Sequence, residues 1–239
     1  MPKKPKKKKF LTNILSFAVS TRETVVISTE ILIGVTLCIA SLIVFFYFAN
    51  EVMEADFRNF DTDVTAAVIS FRSPTMTYLM TDVTALGSAT QIVVLSLVGI
   101  IFLIKKHKKE SILFSLALIM GILINTGLKS MIDRPRPEDG PLIAERMSSF
   151  PSGHSMNAFI FFSLLSYFSF HFFKSKKITF FITSFSIICI LLVGFSRIYM
   201  GVHYPTDVIA GYLAGFWWFI TVLLINHTML FYHLFKKSE

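Results

Sequence analysis

Three short polar clusters stand where apolar stretches of the chain end. They are Lys129 with Arg136-Pro137, then Pro151-Ser152-Gly153-His154, then Ser196-Arg197 with His203 and Asp207. Together the clusters supply three cations, two imidazoles and a carboxylate. Those groups suffice to bind a phosphate, attack it and protonate the oxygen that leaves it, without a metal ion.

In the first cluster, Lys129 ends a predicted apolar helix. Arg136 follows seven residues later, about two helical turns, but Pro135 and Pro137 break that helix. The prolines favour a stiff extended segment that returns the Arg136 guanidinium over the helix end, where it can hold phosphate oxygens through two hydrogen bonds. The alternative is a pair of interfacial cations that reach outward to water.

In the second cluster, the Ser152 hydroxyl can cap the following helix, and Gly153 lets a ligand approach the backbone. A helix N-terminus binds anions through its free N–H groups. His154 lies in the first turn, where it can donate a proton to a leaving oxygen. The alternative is an ordinary helix cap beside an interfacial histidine.

In the third cluster, Arg197 ends one apolar stretch, and Pro205 is placed to occupy the first position of the next helix. His203 and Asp207 are four residues apart, so the carboxylate can fix the imidazole tautomer and stabilise its charged form. The alternative is a structural His–Asp pair.

The elements that must position these clusters are membrane-spanning helices. The chain has 239 residues, of which 54% are hydrophobic and 16% charged, against about 25% charged in soluble domains. Six apolar runs approach the roughly 20 residues that cross a bilayer. They lie at about 31–49, 85–104, 111–128, 155–173, 178–195 and 207–229. We therefore predict an all-α, polytopic membrane protein with six transmembrane helices, although Ser88 and Gln91 dilute the second run.

The distribution of positive charge predicts the orientation of these helices. Sixteen of the 23 Lys and Arg residues precede the first run, follow the last, or lie between runs two and three and runs four and five. The positive-inside rule places that side and both termini in the cytoplasm, so all three polar clusters face the extracytoplasmic side. The net charge of +8 arises mostly from these short flanks, which argues against nucleic-acid binding. Six residues of complementary chemical type lie at helix ends on one membrane face. This favours a single shared site over three unrelated clusters.

Two longer outer segments join the predicted spans. Residues 51–84 mix aromatic and acidic side chains, which predicts one or two interfacial helices that act as a connector or, less favoured, as a lid that guides lipid. Residues 138–150 form a loop in which Glu138, Asp139, Glu145 and Arg146 are expected to be solvated charges. Cys38 and Cys189 lie inside predicted spans and suggest neither a disulfide nor a metal cluster.

The three clusters resemble the tripartite signature of the type-2 phosphatidic acid phosphatase superfamily in residue type, order and spacing. Arg134-Pro135 offers a rival start for the first motif, but the required lysine position is then Gly127, so Arg134 is left as an unassigned auxiliary cation. The superfamily also contains soluble acid phosphatases and vanadium haloperoxidases, and the six spans select its membrane branch. The resemblance implies a six-helix phosphatase domain at 25–230, between a basic cytoplasmic segment, 1–24, and a cytoplasmic tail, 231–239.

The resemblance also implies a role for each motif residue. The position of His203 is the nucleophile that forms a phosphohistidine, Asp207 orients it, and His154 is the general acid. The phosphate would be held by Lys129, Arg136, Ser152, Gly153 and Arg197. No metal or other cofactor is implied.

These expectations describe an enzyme that removes phosphate from a lipid in the membrane. Chain size and compact loops are similar to those of bacterial phosphatidylglycerophosphatases B and undecaprenyl-diphosphate phosphatases, so the expected substrates are phosphatidylglycerol phosphate, undecaprenyl diphosphate or both. Two alternatives keep the same site: a lipid phosphotransferase, and a non-catalytic protein that binds or transports phospholipid.

Overall fold

The computed structural model describes the backbone of residues 7–90, 92–94, 96–97, 107–138 and 140–236, with side chains between 25 and 228 except residue 27. All regular structure in these residues is helical, which confirms the all-α prediction. Seven helices have both ends defined. They are α1 (Lys7–Met53), α2 (Arg58–Ile69), α3 (Pro74–Ala85), α4 (Lys108–Met131), α5 (Gly153–Phe172), α6 (Lys176–Tyr199) and α7 (Pro205–Lys236).

Four helical stretches are long and apolar enough to cross a membrane. They are Ser28–Met53 in α1, Lys108–Met131 in α4, Lys176–Tyr199 in α6 and Pro205–Thr228 in α7. Each coincides with a predicted span, which supports an integral membrane protein. Helices α1 and α7 extend into the predicted flanks 1–24 and 231–239, since α1 is helical from Lys7 and α7 continues to Lys236.

The remaining two predicted spans differ from these four. The run at 155–173 forms α5, whose 20 residues cover about 30 Å at 1.5 Å per residue. Polar residues such as Ser155 and Asn157 dilute its sequence, and both side chains are buried against protein. The run at 85–104 lies largely outside the described residues.

Helix α5 lies at the centre of the described helices and packs against α4, α6 and α7. It is apolar around its circumference, as a central helix must be. Helix α7 approaches the start of α5 closely because residue 211 is glycine: a Cβ there would lie 2.6 Å from the carbonyl oxygen of Ser152. The first and last helices, α1 and α7, pack along one another, with Cys38 Sγ 3.3 Å from Thr221 Oγ1.

The outer segment 51–84 forms two short helices, as predicted. Helix α3 begins at Pro74 and is capped by the Ser73 side chain, which accepts a hydrogen bond from the Met76 N–H. Helix α3 packs against α6, and α2 packs against both α6 and α7. The segment is therefore more than a connector, since it covers the ends of the helices that carry the third cluster.

Candidate active site

The three polar clusters meet at one end of the helix bundle. Helices α4 and α6 end there, and α5 and α7 begin there. Backbone hydrogen bonds join the clusters: the Ser152 N–H donates to the Asp207 carbonyl oxygen at 2.9 Å, and the Ser149 N–H donates to the Arg134 carbonyl oxygen at 2.9 Å. The convergence expected from helix ends is therefore observed, and the site is one connected structure.

Lys129 is buried in the last turn of α4, with 8% of its surface exposed. Its ammonium group donates hydrogen bonds to the carbonyl oxygens of Ser148, at 2.6 Å, and Ser149, at 3.4 Å. The side chain thus points toward the loop that precedes α5, contrary to the alternative of an outward-reaching interfacial cation. Among the described residues no carboxylate forms an ion pair with this ammonium group, so its positive charge is available to an anion.

Arg136 lies on the extended segment that follows α4, as the flanking prolines predict. Its guanidinium donates to the carbonyl oxygens of Met147 at 2.9 Å, Val202 at 2.6 Å and Ser148 at 3.2 Å. Its Nη1 also lies 3.3 Å from Nε2 of His203. Four contacts from one planar group hold Arg136 against the imidazole.

The start of α5 brings the second cluster against the first. Ser152 accepts hydrogen bonds from the Ser155 N–H and hydroxyl, which confirms its role as a cap. At Gly153, a Cβ would lie 2.7 Å from Asn125 Oδ1 and 3.8 Å from Lys129 Cε, so glycine allows the helix terminus to pack beside the lysine stem. His154 follows in the first turn, within electrostatic range of Lys129, Arg197 and His203.

His203 lies in the short link between α6 and α7 and is almost completely buried. Arginine cannot accept a hydrogen bond, so the contact with Arg136 makes Nε2 the acceptor and places the proton of the neutral ring on Nδ1. Nδ1 faces Asp207 Oδ2 at 3.5 Å, an electrostatic contact longer than most hydrogen bonds. The Nε2 lone pair therefore points toward the cations.

Burial lowers the pKa of His203 to about 4, against the opposing effect of the Asp207 carboxylate, which raises it. The nearby positive charges of Arg197 and Lys129 lower the pKa further. Near neutral pH the imidazole is therefore uncharged, which is the form that a nucleophile requires.

Arg197 is fully buried at the end of α6. It donates a hydrogen bond to Thr84 Oγ1 at 2.8 Å and forms an ion pair with Glu145. Glu145 keeps partial exposure, as expected of a solvated charge, but its carboxylate also binds this buried arginine. Within the described part of the chain, the buried Nε–H of Arg197 has no hydrogen-bond partner, so it is free to donate to a ligand.

Arg134, unassigned by sequence, has two carboxylate partners. It bonds Asp207 Oδ1 at 2.5 Å and Asp61 Oδ2 at 2.7 Å. Asp61 comes from α2 and was not singled out by sequence reasoning. The signal was present, since Asp61 shares the buried face of α2 with Thr65 and Val68 at helical spacing, and an acid on such a face needs a partner.

The arrangement can perform phosphoryl chemistry. An uncharged imidazole presents Nε2 toward a region bordered by the cations Lys129, Arg136 and Arg197, and a second imidazole lies nearby. Cations stabilise the charge that develops on phosphate oxygens in the transition state. Among the described residues, no three His, Cys, Asp or Glu side chains group as they would around a metal ion.

Comparison with known proteins gives consistent matches. The model of the PAP2 superfamily matches residues 110–230, which include all three clusters. Phosphatidylglycerophosphatase B of Bacillus subtilis (strain 168) is 33% identical over 167 residues, which cover 68% of this chain and 81% of the relative. Undecaprenyl-diphosphatase of Sulfolobus acidocaldarius is 28% identical over 131 residues, covering 50% of this chain and 56% of the relative.

A solved structure agrees with the described fold. The crystal structure of a transmembrane PAP2 type phosphatidylglycerolphosphate phosphatase from Bacillus subtilis superposes with a TM-score of 0.75 at 29% sequence identity. The match covers 80% of this chain and 96% of that protein. The similarity therefore extends well beyond the residues that the family model matches.

Proposed function

Since the chain belongs to the PAP2 superfamily, we propose that it is a lipid phosphate phosphatase that hydrolyses phosphatidylglycerol phosphate, undecaprenyl diphosphate or both. The proposal rests on one observation above all. Nε2 of the buried His203 accepts a hydrogen bond from Arg136 at the point where the three clusters meet, so its lone pair faces the cations that would hold a phosphate. The similarity to a phosphatidylglycerophosphatase B over 68% of the chain supports the first substrate.

The first chemical step transfers the phosphoryl group to the enzyme. The Nε2 lone pair of His203 attacks phosphorus while the bond to the leaving oxygen breaks, and His154 donates a proton to that oxygen. The lipid leaves as an alcohol from a monophosphate, or as a monophosphate from a diphosphate. Asp207 stabilises the positive charge on the phosphorylated imidazole.

The second step restores the enzyme. His154, now neutral, takes a proton from a water molecule, and the water oxygen attacks phosphorus as the bond to Nε2 breaks. Inorganic phosphate leaves and both histidines return to their starting state. In both steps the equatorial oxygens are held by Lys129, Arg136, the free Nε–H of Arg197, the Ser152 hydroxyl and the backbone N–H of Gly153.

An apolar groove beside the site suits the lipid tail. It encloses about 200 Å³ between α1 and α4, with α7 at its base. Gly127, Leu128 and Met131 line it from the α4 turns next to Lys129. Phe45 lines the opposite wall, and its ring centroid lies 6.2 Å from that of Phe150, which precedes the second cluster. A tail in this groove would place its headgroup beside Lys129.

The proposed membrane arrangement follows from charge. Both termini lie in the cytoplasm and the site faces the extracytoplasmic side, with six spans that include α5 and the run at 85–104. This orientation is supported by the sixteen basic residues on the opposite side of the predicted spans. The substrate headgroup would reach the site from the outer leaflet.

The test is inorganic phosphate release by the full chain, purified in detergent with EDTA present. Phosphatidylglycerol phosphate, undecaprenyl diphosphate and phosphatidic acid are assayed in parallel, with His203→Ala as the inactive control and Arg146→Gln, an exposed site, as the neutral control. We expect release that survives EDTA and disappears in His203→Ala.

Two other results contradict the proposal. Phosphate that moves to an added lipid alcohol, with none released, identifies a phosphotransferase. A protein that binds these lipids but neither releases nor transfers phosphate is the non-catalytic alternative.

A further inference from the structure

Asp207 is held from two sides by groups that belong to different parts of the chain. One oxygen, Oδ2, faces His203 Nδ1 and accepts a hydrogen bond from the Tyr204 N–H at 2.9 Å. The other oxygen, Oδ1, accepts a 2.5 Å hydrogen bond from Arg134. Because the contact with the imidazole is the longest of the three, His203 does not by itself fix the carboxylate.

Arg134 is in turn fixed by Asp61 of α2. Its Nη2 lies 2.7 Å from Asp61 Oδ2, and its guanidinium stacks over the Tyr204 ring at 4.5 Å from the centroid. Asp61 also accepts hydrogen bonds from the Thr206 N–H at 3.0 Å and the Thr206 hydroxyl at 2.6 Å. Thr206 is the neighbour of Asp207, so Asp61 holds the start of α7 directly as well as through Arg134.

The charges of Asp61, Arg134 and Asp207 compensate one another in a site that is largely shielded from water. Asp61 is 2% exposed and Asp207 is fully buried, and the arginine between them is 13% exposed at its side chain. Removing one partner from a buried ion pair leaves an uncompensated charge, so each member depends on the others. The two carboxylates raise the pKa of Arg134 against the opposing effect of burial, and the guanidinium remains charged.

We infer that Asp61 and Arg134 are positioning residues that hold Asp207, and through it His203, in the orientation needed for attack on phosphate. This inference rests on the proposed phosphatase function. It assigns a catalytic purpose to α2, which lies outside the residues that the family model matches. Among the described residues neither side chain forms a hydrogen bond or ion pair with His203 or with the cations around Nε2, so their effect passes through Asp207.

The experiment compares Arg134→Gln and Asp61→Asn with wild type in the phosphate-release assay, with Arg146→Gln and Asp63→Asn as matched controls at exposed positions. Both test substitutions remove one charge and keep a polar side chain. We expect kcat to fall about 10–100-fold, as when an outer partner of a functional side chain is removed, while KM changes little. The controls should behave as wild type.

The pH profile separates positioning from simple structural damage. The groups in electrostatic range of His203 are Asp207 of α7, Arg197 of α6, Lys129 of α4, His154 of α5 and, on the extended segment, Arg136. Without Arg134 the Asp207 carboxylate is less compensated and holds a proton on His203 more strongly, so the acid limb of kcat/KM moves to higher pH. Without the Asp61 charge Arg134 compensates Asp207 more fully, and the limb moves to lower pH.

The possible results distinguish a failure of this positioning inference from a failure of the proposed phosphatase function. Wild-type kcat in both variants overturns the inference, and so does a loss of activity that is matched by a lower melting temperature with no shift of the acid limb. If Arg134→Gln does not fold, Asp61→Asn decides alone, because asparagine keeps the size of the side chain. Wild-type protein that releases no phosphate from any lipid overturns the proposed function itself, and this inference with it.

Discussion

The two ends of helix α6 differ in the environment of their side chains. Toward its start, Phe180 and Phe181 are 75% and 73% exposed, as side chains that face lipid. At its end, Ser196 and Arg197 are completely buried. In a membrane the apolar surface needs no partner, because hydrocarbon surrounds it, whereas a buried arginine must be satisfied by the protein.

This contrast shows where the sequence is constrained. The lipid-facing side requires hydrophobicity and little else, so many side chains serve equally well there. The polar end requires particular partners: Arg197 needs Glu145 and Thr84, and Asp207 needs Arg134. Changes of similar size should therefore have large effects at one end and small effects at the other.

The strongest contrast is expected in turnover. His203→Ala and His154→Ala should each lower kcat at least about a thousandfold, because one removes the proposed nucleophile and the other the proposed acid. Phe181→Ala, on the lipid-facing side, should retain the wild-type rate. Asp207→Asn should cost less than either histidine, since it alters orientation and charge but leaves both reacting groups in place. Phosphate release measures all four.

A second contrast is expected in stability. Arg197→Ala should lower the free energy of unfolding by roughly 3 kcal/mol, at the low end for a broken buried ion pair because Glu145 retains partial exposure. Phe181→Ala should change it by less than about 0.5 kcal/mol. Thermal unfolding in detergent gives the comparison. Equal destabilisation by the two variants would show that the lipid-facing side is packed against a partner.

A third prediction concerns the apolar groove, which lies between the lipid-facing surface and the polar end of the bundle. No atom lies within 4 Å of a Cβ built at Gly127, so Gly127→Leu should fold and fill part of the groove. We expect kcat/KM for a long-chain lipid phosphate to fall about tenfold, a cost near 1.4 kcal/mol, while a short water-soluble phosphate ester is unaffected. Thr126→Leu, at the neighbouring exposed position, is the control. Equal losses on both substrates would remove the groove from the tail-binding proposal.

The smallest effect is expected from mild acid. Because the pKa of His203 is lowered to about 4, protonation of this group should leave kcat/KM constant from about pH 5 to 8 and reduce it tenfold per pH unit only below about 4. The sign follows from the proposed role of His203 as nucleophile, since a nucleophilic imidazole must be unprotonated in the free enzyme. A limb near the ordinary histidine pKa of about 6.5 would indicate a site more open to water than the described one.

Local chemistry made much of the site predictable. Ser152 is a favoured helix cap and Pro205 a favoured first residue, so both helix starts were placed correctly. The four-residue spacing of His203 and Asp207 placed them in contact. Each of these inferences depends on residues close together in sequence, where the geometry of the backbone limits the possibilities.

The partners of the arginines could not be predicted in the same way. Arg134-Pro135 and Arg136-Pro137 are identical dipeptides, yet Arg134 binds two carboxylates and Arg136 binds three carbonyls and an imidazole. Asp61 is 73 positions from Arg134, and its pairing depends on how α2 packs across α6 and α7. The pairing of Glu145 could not be predicted from local sequence either, because its ion-pair partner Arg197 lies 52 positions away.

The pairing of the first helix with the last has a consequence for biosynthesis. A chain made from its N-terminus delivers α1 to the membrane before α7, its packing partner. Helix α7 also supplies Asp207 and the backbone carbonyl that receives the Ser152 N–H. Until α7 has been made and inserted, the α1 surface that packs against it is uncovered and His203 lacks the Asp207 carboxylate. A chain truncated before α7 should therefore be inactive, because the site is completed only when α7 is inserted.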